Sequence, residues 1–143
     1  MAVASWWICA GLIGKKEAEI VHLETDCVRY LEKALPQIVG VWSYPEWKSR
    51  ATVELLNSVK LKRVQKDFKS YKQVFGELKR LERPIGRVDV DNTGGVPETY
   101  GYYTASARFA TGRANIAMRL VKRAGGWKFQ QFRIRSEATA AAD

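Results

Sequence analysis

The chain is short of the residues that carry most enzymatic and metal chemistry. It has 143 residues but one histidine, His22, and two cysteines, Cys9 and Cys27. Two cysteines so placed form no CxxC pair and no zinc spacing. Neither a glycine-rich phosphate loop nor a nucleophile elbow occurs. Acidic residues are outnumbered: 15 Asp+Glu stand against 24 Lys+Arg, a formal charge of +9. The aspartates are Asp26, Asp67, Asp89, Asp91 and Asp143. General acid–base catalysis needs a positioned pair with opposed pKa tuning, and no such pair assembles from them. Asp67 lies among lysines and reads as an ion-pairing surface residue. Asp89 and Asp91 alternate away from Val88 and Val90, hence outward. Asp26 neighbours Cys27 near a cavity edge, with nothing to mark it as a base. His22 adjoins an apolar stripe, where a surface or partly packed histidine is the plain reading. The sequence thus leans away from an enzyme and calls for no cofactor and no metal. Cys27 falls in a helical pattern and reads as a buried apolar side chain; nothing supports a Cys9–Cys27 disulfide.

Charge is missing from one further place. "MAVASWWICAGLIG", Met1 to Gly14, carries none, and Lys15 and Lys16 follow. The run is too short to span a bilayer unless tilted or extended upstream. It also lacks the positive n-region of a secretory signal. Three readings stay open for residues 1–15: the end of a membrane anchor, an atypical signal, or the first apolar turn of a core helix. The first is preferred.

What is present is a core. Hydrophobic residues make up 46% and aromatics 11%, enough for one compact domain. From Lys16 to Val39 the pattern is helical: Ile20, Leu23, Cys27, Tyr30 and Ala34 recur at three and four residues, flanked by Val28, Leu31 and Leu35. Pro36 is expected to end or kink this helix. Ser43 with Glu46 has the form of a capping box, and Pro45 suits a first turn. A second helix, broken or continuous, therefore opens near Tyr44 and runs through Leu55 and Leu56. Leu61, Val64, Phe68, Tyr71, Phe75 and Leu78 make one apolar stripe on a third helix with a basic outer face, and Gly76 is a candidate C-terminal cap.

After Gly86 the period changes to two. "RVDVD" is a short strand. Glu98 to Ala110 is a long one, with Tyr103, Ala105, Ala107 and Phe109 on one side and Tyr100, Tyr102, Thr104, Ser106 and Arg108 on the other. Ala114, Ile116, Met118 and Leu120 form the apolar side of the next, opposite Asn115, Arg119 and Lys122. The last strand, "GGWKFQQFRIRS", switches parity: Trp127 and Phe129 are odd, Phe132 and Ile134 even. A bulge between Phe129 and Phe132 would turn all four inward. Three helices followed by about four antiparallel strands predict an α+β fold, the helices packed on one face of a curved sheet.

Four stretches, "ALPQIVGVWSYPEWKSRATVELL", "FGELKRLERPIG", "ARFATGRANIAMRLVKR" and "GGWKFQQFRIRSE", in this order and spacing, give the chain a family likeness. It resembles the nuclear transport factor 2-like (cystatin-like, cone-shaped) superfamily, and is especially similar to small bacterial envelope proteins of that fold. The small-residue tail over 138–143 reads as frayed; the resemblance implies a domain over residues 16–137 and a setting in the bacterial cell envelope, membrane-anchored or periplasmic, with the cytoplasm as the alternative. It implies a cavity between helices and sheet, which enzymes of the superfamily furnish with Asp, His or Tyr. It brings no defined activity.

Two sets of candidate binding residues follow. Trp42, Trp47, Tyr103, Phe109 and Trp127 are placed to line an apolar pocket, although each alone reads equally as core. Arg108, Arg119, Arg133 and Arg135 gather on the solvent side of the sheet with Tyr100 and Tyr102, an arrangement suited to anions and planar groups. The expected function is non-catalytic binding of a small apolar ligand or of a protein partner, with dimerisation through the sheet as one mode. An anion-binding module, taking anionic lipid, acidic protein or nucleic acid, is the second reading; nucleic acid is disfavoured in an envelope setting. A cavity enzyme of isomerase or hydrolase type is the third.

Overall fold

A computed structural model describes the backbone over residues 2–137 and the side chains over residues 17–137. The readings made for Met1 to Gly14, including those for Cys9, concern side chains outside that range, and so does the expected fraying of the tail. The architecture is α+β. Four helices, α1 (Ala2–Val39), α2 (Tyr44–Arg50), α3 (Val53–Ser58) and α4 (Leu61–Phe75), precede five strands. These are β1 (Leu78–Leu81), β2 (Ile85–Asp91), β3 (Glu98–Phe109), β4 (Gly112–Arg123) and β5 (Gly126–Ser136). They form one antiparallel sheet in the order β1-β3-β4-β5, with β2 also paired to β3. Among the described residues no helix is long and apolar enough to cross a membrane.

The counts differ from the expected three helices and about four strands for two local reasons. The second helix breaks because Ala51 and Thr52 extend to meet β5: the Thr52 amide donates to the Phe129 carbonyl at 2.8 Å. Each half keeps its own cap, with Ser43 Oγ accepting from the Glu46 amide and Thr52 Oγ1 from the Leu55 amide at 3.1 Å. The extra strand arises because Gly76 stops α4. Its φ of 72° is open to glycine, and its amide closes the last turn on the Lys72 carbonyl. Leu78, expected to end the α4 stripe, therefore starts β1. Strands β1 and β2 share one edge of β3 and are parted by Glu82–Arg83–Pro84, where the proline cannot donate to a ladder.

Pro36 does not end α1, which continues to Val39. It lies on the exposed side within the last turn, where water can satisfy the carbonyl it leaves without a donor. The buried stripe of α1 is also rotated from the expected one. Cys27, Leu31, Ala34, Leu35 and Ile38 are fully buried, Tyr30 is half-buried, and Ile20 is exposed.

The parity switch in β5 is a bulge. Arg119 pairs with Gln131 and Leu120 with Phe129, so Gln130 is the extra residue. Trp127 and Phe129 are buried before it, and Phe132 and Ile134 pack against the same core after it. Arg133 and Arg135 consequently face away from the helices. The core is closed by an aromatic cluster around Trp42, whose ring lies 5.1–5.8 Å from those of Phe68, Tyr71, Phe75 and Phe109. Trp42 itself has φ 51°, a left-handed conformation that costs a non-glycine residue about 1–2 kcal/mol and is held here by that packing.

Candidate functional site

The strand pairings convert sequence parity into rows of side chains on the solvent face. One row runs Arg80, Arg108, Arg113 across β1, β3 and β4. The next carries Ser106, Asn115 and Arg135, with Ser106 Oγ donating to Asn115 Oδ1 at 2.9 Å. A third carries Ile85, Thr104, Ala117 and Arg133, and a fourth Arg87, Tyr102, Arg119 and Gln131. The expected quartet of Arg108, Arg119, Arg133 and Arg135 is thus on one face, joined by Arg80, Arg87 and Arg113.

Two kinds of arginine share this face. Arg87 and Arg119 are used internally. The Arg119 guanidinium lies 4.6 Å from the Tyr100 ring centroid and 5.5 Å from that of Tyr102; Arg87 covers Tyr102 at 5.3 Å and pairs with Asp89 at 2.9 Å. The tyrosine faces are therefore occupied by arginine, and such stacks contribute about 0.5–2 kcal/mol each. The Tyr100 hydroxyl donates to Glu98, which raises its pKa. Arg80, Arg108, Arg113, Arg133 and Arg135 form no ion pair among the described residues. They are exposed. Their acidic neighbours are at the margin: Glu82 and Glu137 flank a small cleft of about 100 Å³ at the Arg108–Arg113 row. Between the third and fourth rows the short side chains of Thr104 and Ala117 leave a shallow groove of about 300 Å³, bounded by Ile85, Tyr102, Arg119, Gln131 and Arg133.

The five residues expected to line one pocket are not gathered. Trp42 and Phe109 stack on each other within the aromatic cluster, and Trp47 joins it through Phe68. Tyr103 lies midway along β3, beside Cys27 and Gly101, its hydroxyl reaching the Glu24 carbonyl at 3.4 Å. Trp127 stands apart from both. Its indole N–H donates to Asp26 Oδ2 at 2.9 Å, and with Asp26, Arg29, Tyr30 and Lys33 it borders an open cleft of about 530 Å³. The core between helices and sheet is divided among large side chains, and these five residues are distributed through it.

The same geometry argues against acid–base chemistry at Asp26. The Trp127 hydrogen bond, and after it the Lys122 ammonium, hold the carboxyl below its ordinary range, so it is a poor base. Lys122, expected on the solvent side of β4, lies over the Trp127 ring on the helix side. His22 is exposed, and Asp67 makes no ion pair among the described residues. Cys27 is a free, buried thiol whose pKa burial pushes up to about 12, which keeps it un-ionised. No cluster of three or more potential metal ligands occurs among the described residues.

Arg113 and Arg87 share parity with Asn115 and Asp89, so period-two counting alone could have found them. Arg80 gives no such signal, because Leu78, just before it, continues the helical stripe of α4. Compared with protein-family models, curated proteins and solved structures, the chain matches none.

Proposed function

We propose that this chain is a non-catalytic binding domain whose solvent-facing sheet surface takes an anionic partner. The observation that carries this reading is the set of five arginines, Arg80, Arg108, Arg113, Arg133 and Arg135, placed on one face of the sheet without ion-pair partners among the described residues. Arginine offers a planar fork suited to carboxylate and phosphate groups. Like charges directly across strands are unfavourable, so the Arg108–Arg113 pair is better explained by a ligand than by the fold. The order of helices then antiparallel strands supports placing the domain among nuclear transport factor 2-like proteins, and the uncharged Met1–Gly14 run supports an envelope setting.

The test is retention on immobilised heparin in rising salt. The wild-type protein is expected to elute late, and Arg108→Glu with Arg113→Glu much earlier, because each lost contact lowers the salt dependence. Retention that ignores both salt and these substitutions overturns the reading. A second reading, a small apolar ligand, is favoured by the cleft of about 530 Å³ at Tyr30 and Trp127. Native mass spectrometry of protein from its own host checks it: extra non-covalent mass that Trp127→Ala abolishes is expected, and a bare chain counts against it.

A further inference from the structure

The two halves of β5 are treated differently by the rest of the molecule. Before the bulge, its free edge is covered: Phe129 bridges to Ala51, its carbonyl accepts from the Thr52 amide, and Lys128 Nζ donates to the Ser49 carbonyl at 3.2 Å. After the bulge the cover ends. β5 is the last strand of the sheet, and among the described residues no backbone hydrogen bond reaches the outer edge of residues 131–136. This free stretch is about 20 Å long at the usual rise per residue. Such an edge leaves alternate N–H and C=O groups ready to pair with another strand.

Its two sides have opposite character. Phe132 and Ile134 point to the helix side, where they pack against the core yet remain only partly buried. Arg133 and Arg135 point to the solvent side and are exposed. The opposite edge of the sheet offers no equivalent. It is broken at Pro84 and carries mixed charge, Arg87 beside Asp89 and Asp91.

We infer that residues 131–136 of β5 are a docking edge for an extended acidic peptide in which Asp or Glu alternates with apolar residues. The inference rests on the anionic-partner reading and narrows its class. Strand addition supplies main-chain hydrogen bonds, and alternate side chains supply specificity. An added strand would set its carboxylates beside Arg133 and Arg135 and its apolar residues beside Phe132 and Ile134. A second copy of this chain is disfavoured at this edge, because antiparallel pairing of β5 with itself opposes arginine to arginine. The charges that deter self-association therefore also choose the partner.

The test is amide NMR on the full chain with an acetylated Glu-Val repeat of about eight residues, a length that spans an ordinary strand, and its Lys-Val counterpart as control. The Glu-Val peptide is expected to shift and protect from exchange the amides of residues 131–136, and the Lys-Val peptide to leave them unchanged. Arg133→Glu with Arg135→Glu is expected to weaken the peptide about tenfold or more. Ile134→Asp is expected to weaken it while preserving the salt dependence of heparin retention. A Glu-Val peptide that fails to protect this edge overturns the docking inference; heparin retention intact in that case leaves the anionic-face reading standing. Shifts confined to the Arg108–Arg113 row, or protection produced by a single-stranded oligonucleotide or anionic vesicles but by no peptide, overturn it as well. So does concentration-dependent self-assembly that protects the same amides.

Discussion

On the helix side of β3, Tyr103, Ala105, Ala107 and Phe109 retain at most 3% of their surface; one residue along, Thr104 and Arg108 are exposed. Across β4 the contrast repeats, with Ala114, Ile116, Met118 and Leu120 buried and Arg113 and Ala117 open. An antiparallel sheet with one wet side needs polarity there, but it does not need arginine at so many positions. The helix face is arranged for cohesion, the solvent face for concentration of one charge. Because the two faces alternate along the same strands, substitutions one residue apart act on opposite sides of the sheet.

The comparison breaks most visibly in the aromatic cluster. Phe75 is 2% exposed and touches Trp42, Tyr71 and Phe109. Phe75→Ala is expected to cost about 3–5 kcal/mol, read from urea denaturation. It also removes one of the rings that hold Trp42 in its left-handed conformation. A loss below about 1.5 kcal/mol would mean that the cluster collapses around the gap and that the helix face is less tightly fitted than its burial implies.

Alkaline pH sharpens the contrast at the other end of the core. The Cys27 thiol titrates at about 12 when folded against 9.0 when free, because burial disfavours its anion. Below pH 9 both states hold the proton and the contribution is complete. Between pH 9 and 12 only the unfolded chain loses it, so stability falls as pH rises. The slope approaches about 1.4 kcal/mol per pH unit for this one proton. Denaturation midpoints across this range are expected to fall less steeply in Cys27→Ala. Equal slopes would show that Cys27 is not sealed.

Gly101 lies against that thiol. A Cβ built there would stand 3.0 Å from Cys27 Sγ and 3.2 Å from the Tyr103 ring. Gly101→Ala is expected to destabilise by about 1 kcal/mol through overpacking. The loss should shrink in a Cys27→Ala background, where the sulfur is gone. Purely additive losses in the double-mutant cycle would place the strain elsewhere.

Much of this division was legible in the chain. Period-two counting assigned the faces of β3 and β4, and the shift from Phe129 to Phe132 marked the bulge in β5, because a sheet that must keep its apolar residues inward has no other way to change parity. The α4 stripe and the Ser43 cap were local signals and were readable for that reason. What escaped depended on distant partners. The break between α2 and α3 is made by the Thr52–Phe129 bond across 77 residues of chain (129 − 52). The dispersal of Trp47, Tyr103 and Trp127 follows from packing order, which residue type does not encode. The short strand Leu78–Leu81 exists because β3 is long enough to pair beyond β2.

The smallest effect is the one most specific to the solvent face. Arg108 pairs directly with Arg113 on one side and Arg80 on the other. Cross-strand neighbours of like charge repel by a few tenths of a kcal/mol each in water-exposed positions. Arg108→Gln is therefore expected to raise stability by about 0.2–0.5 kcal/mol at low ionic strength, the reverse of the usual sign for a substitution. The gain should vanish near 1 M salt, where charges are screened over about 3 Å. Differential scanning calorimetry at the two ionic strengths reads both halves. The same variant should elute earlier from heparin, so one side chain trades folding stability against affinity. A variant that is destabilised at low salt would show instead that Arg108 is held by its neighbours, and the row of arginines would then belong to the fold rather than to a partner.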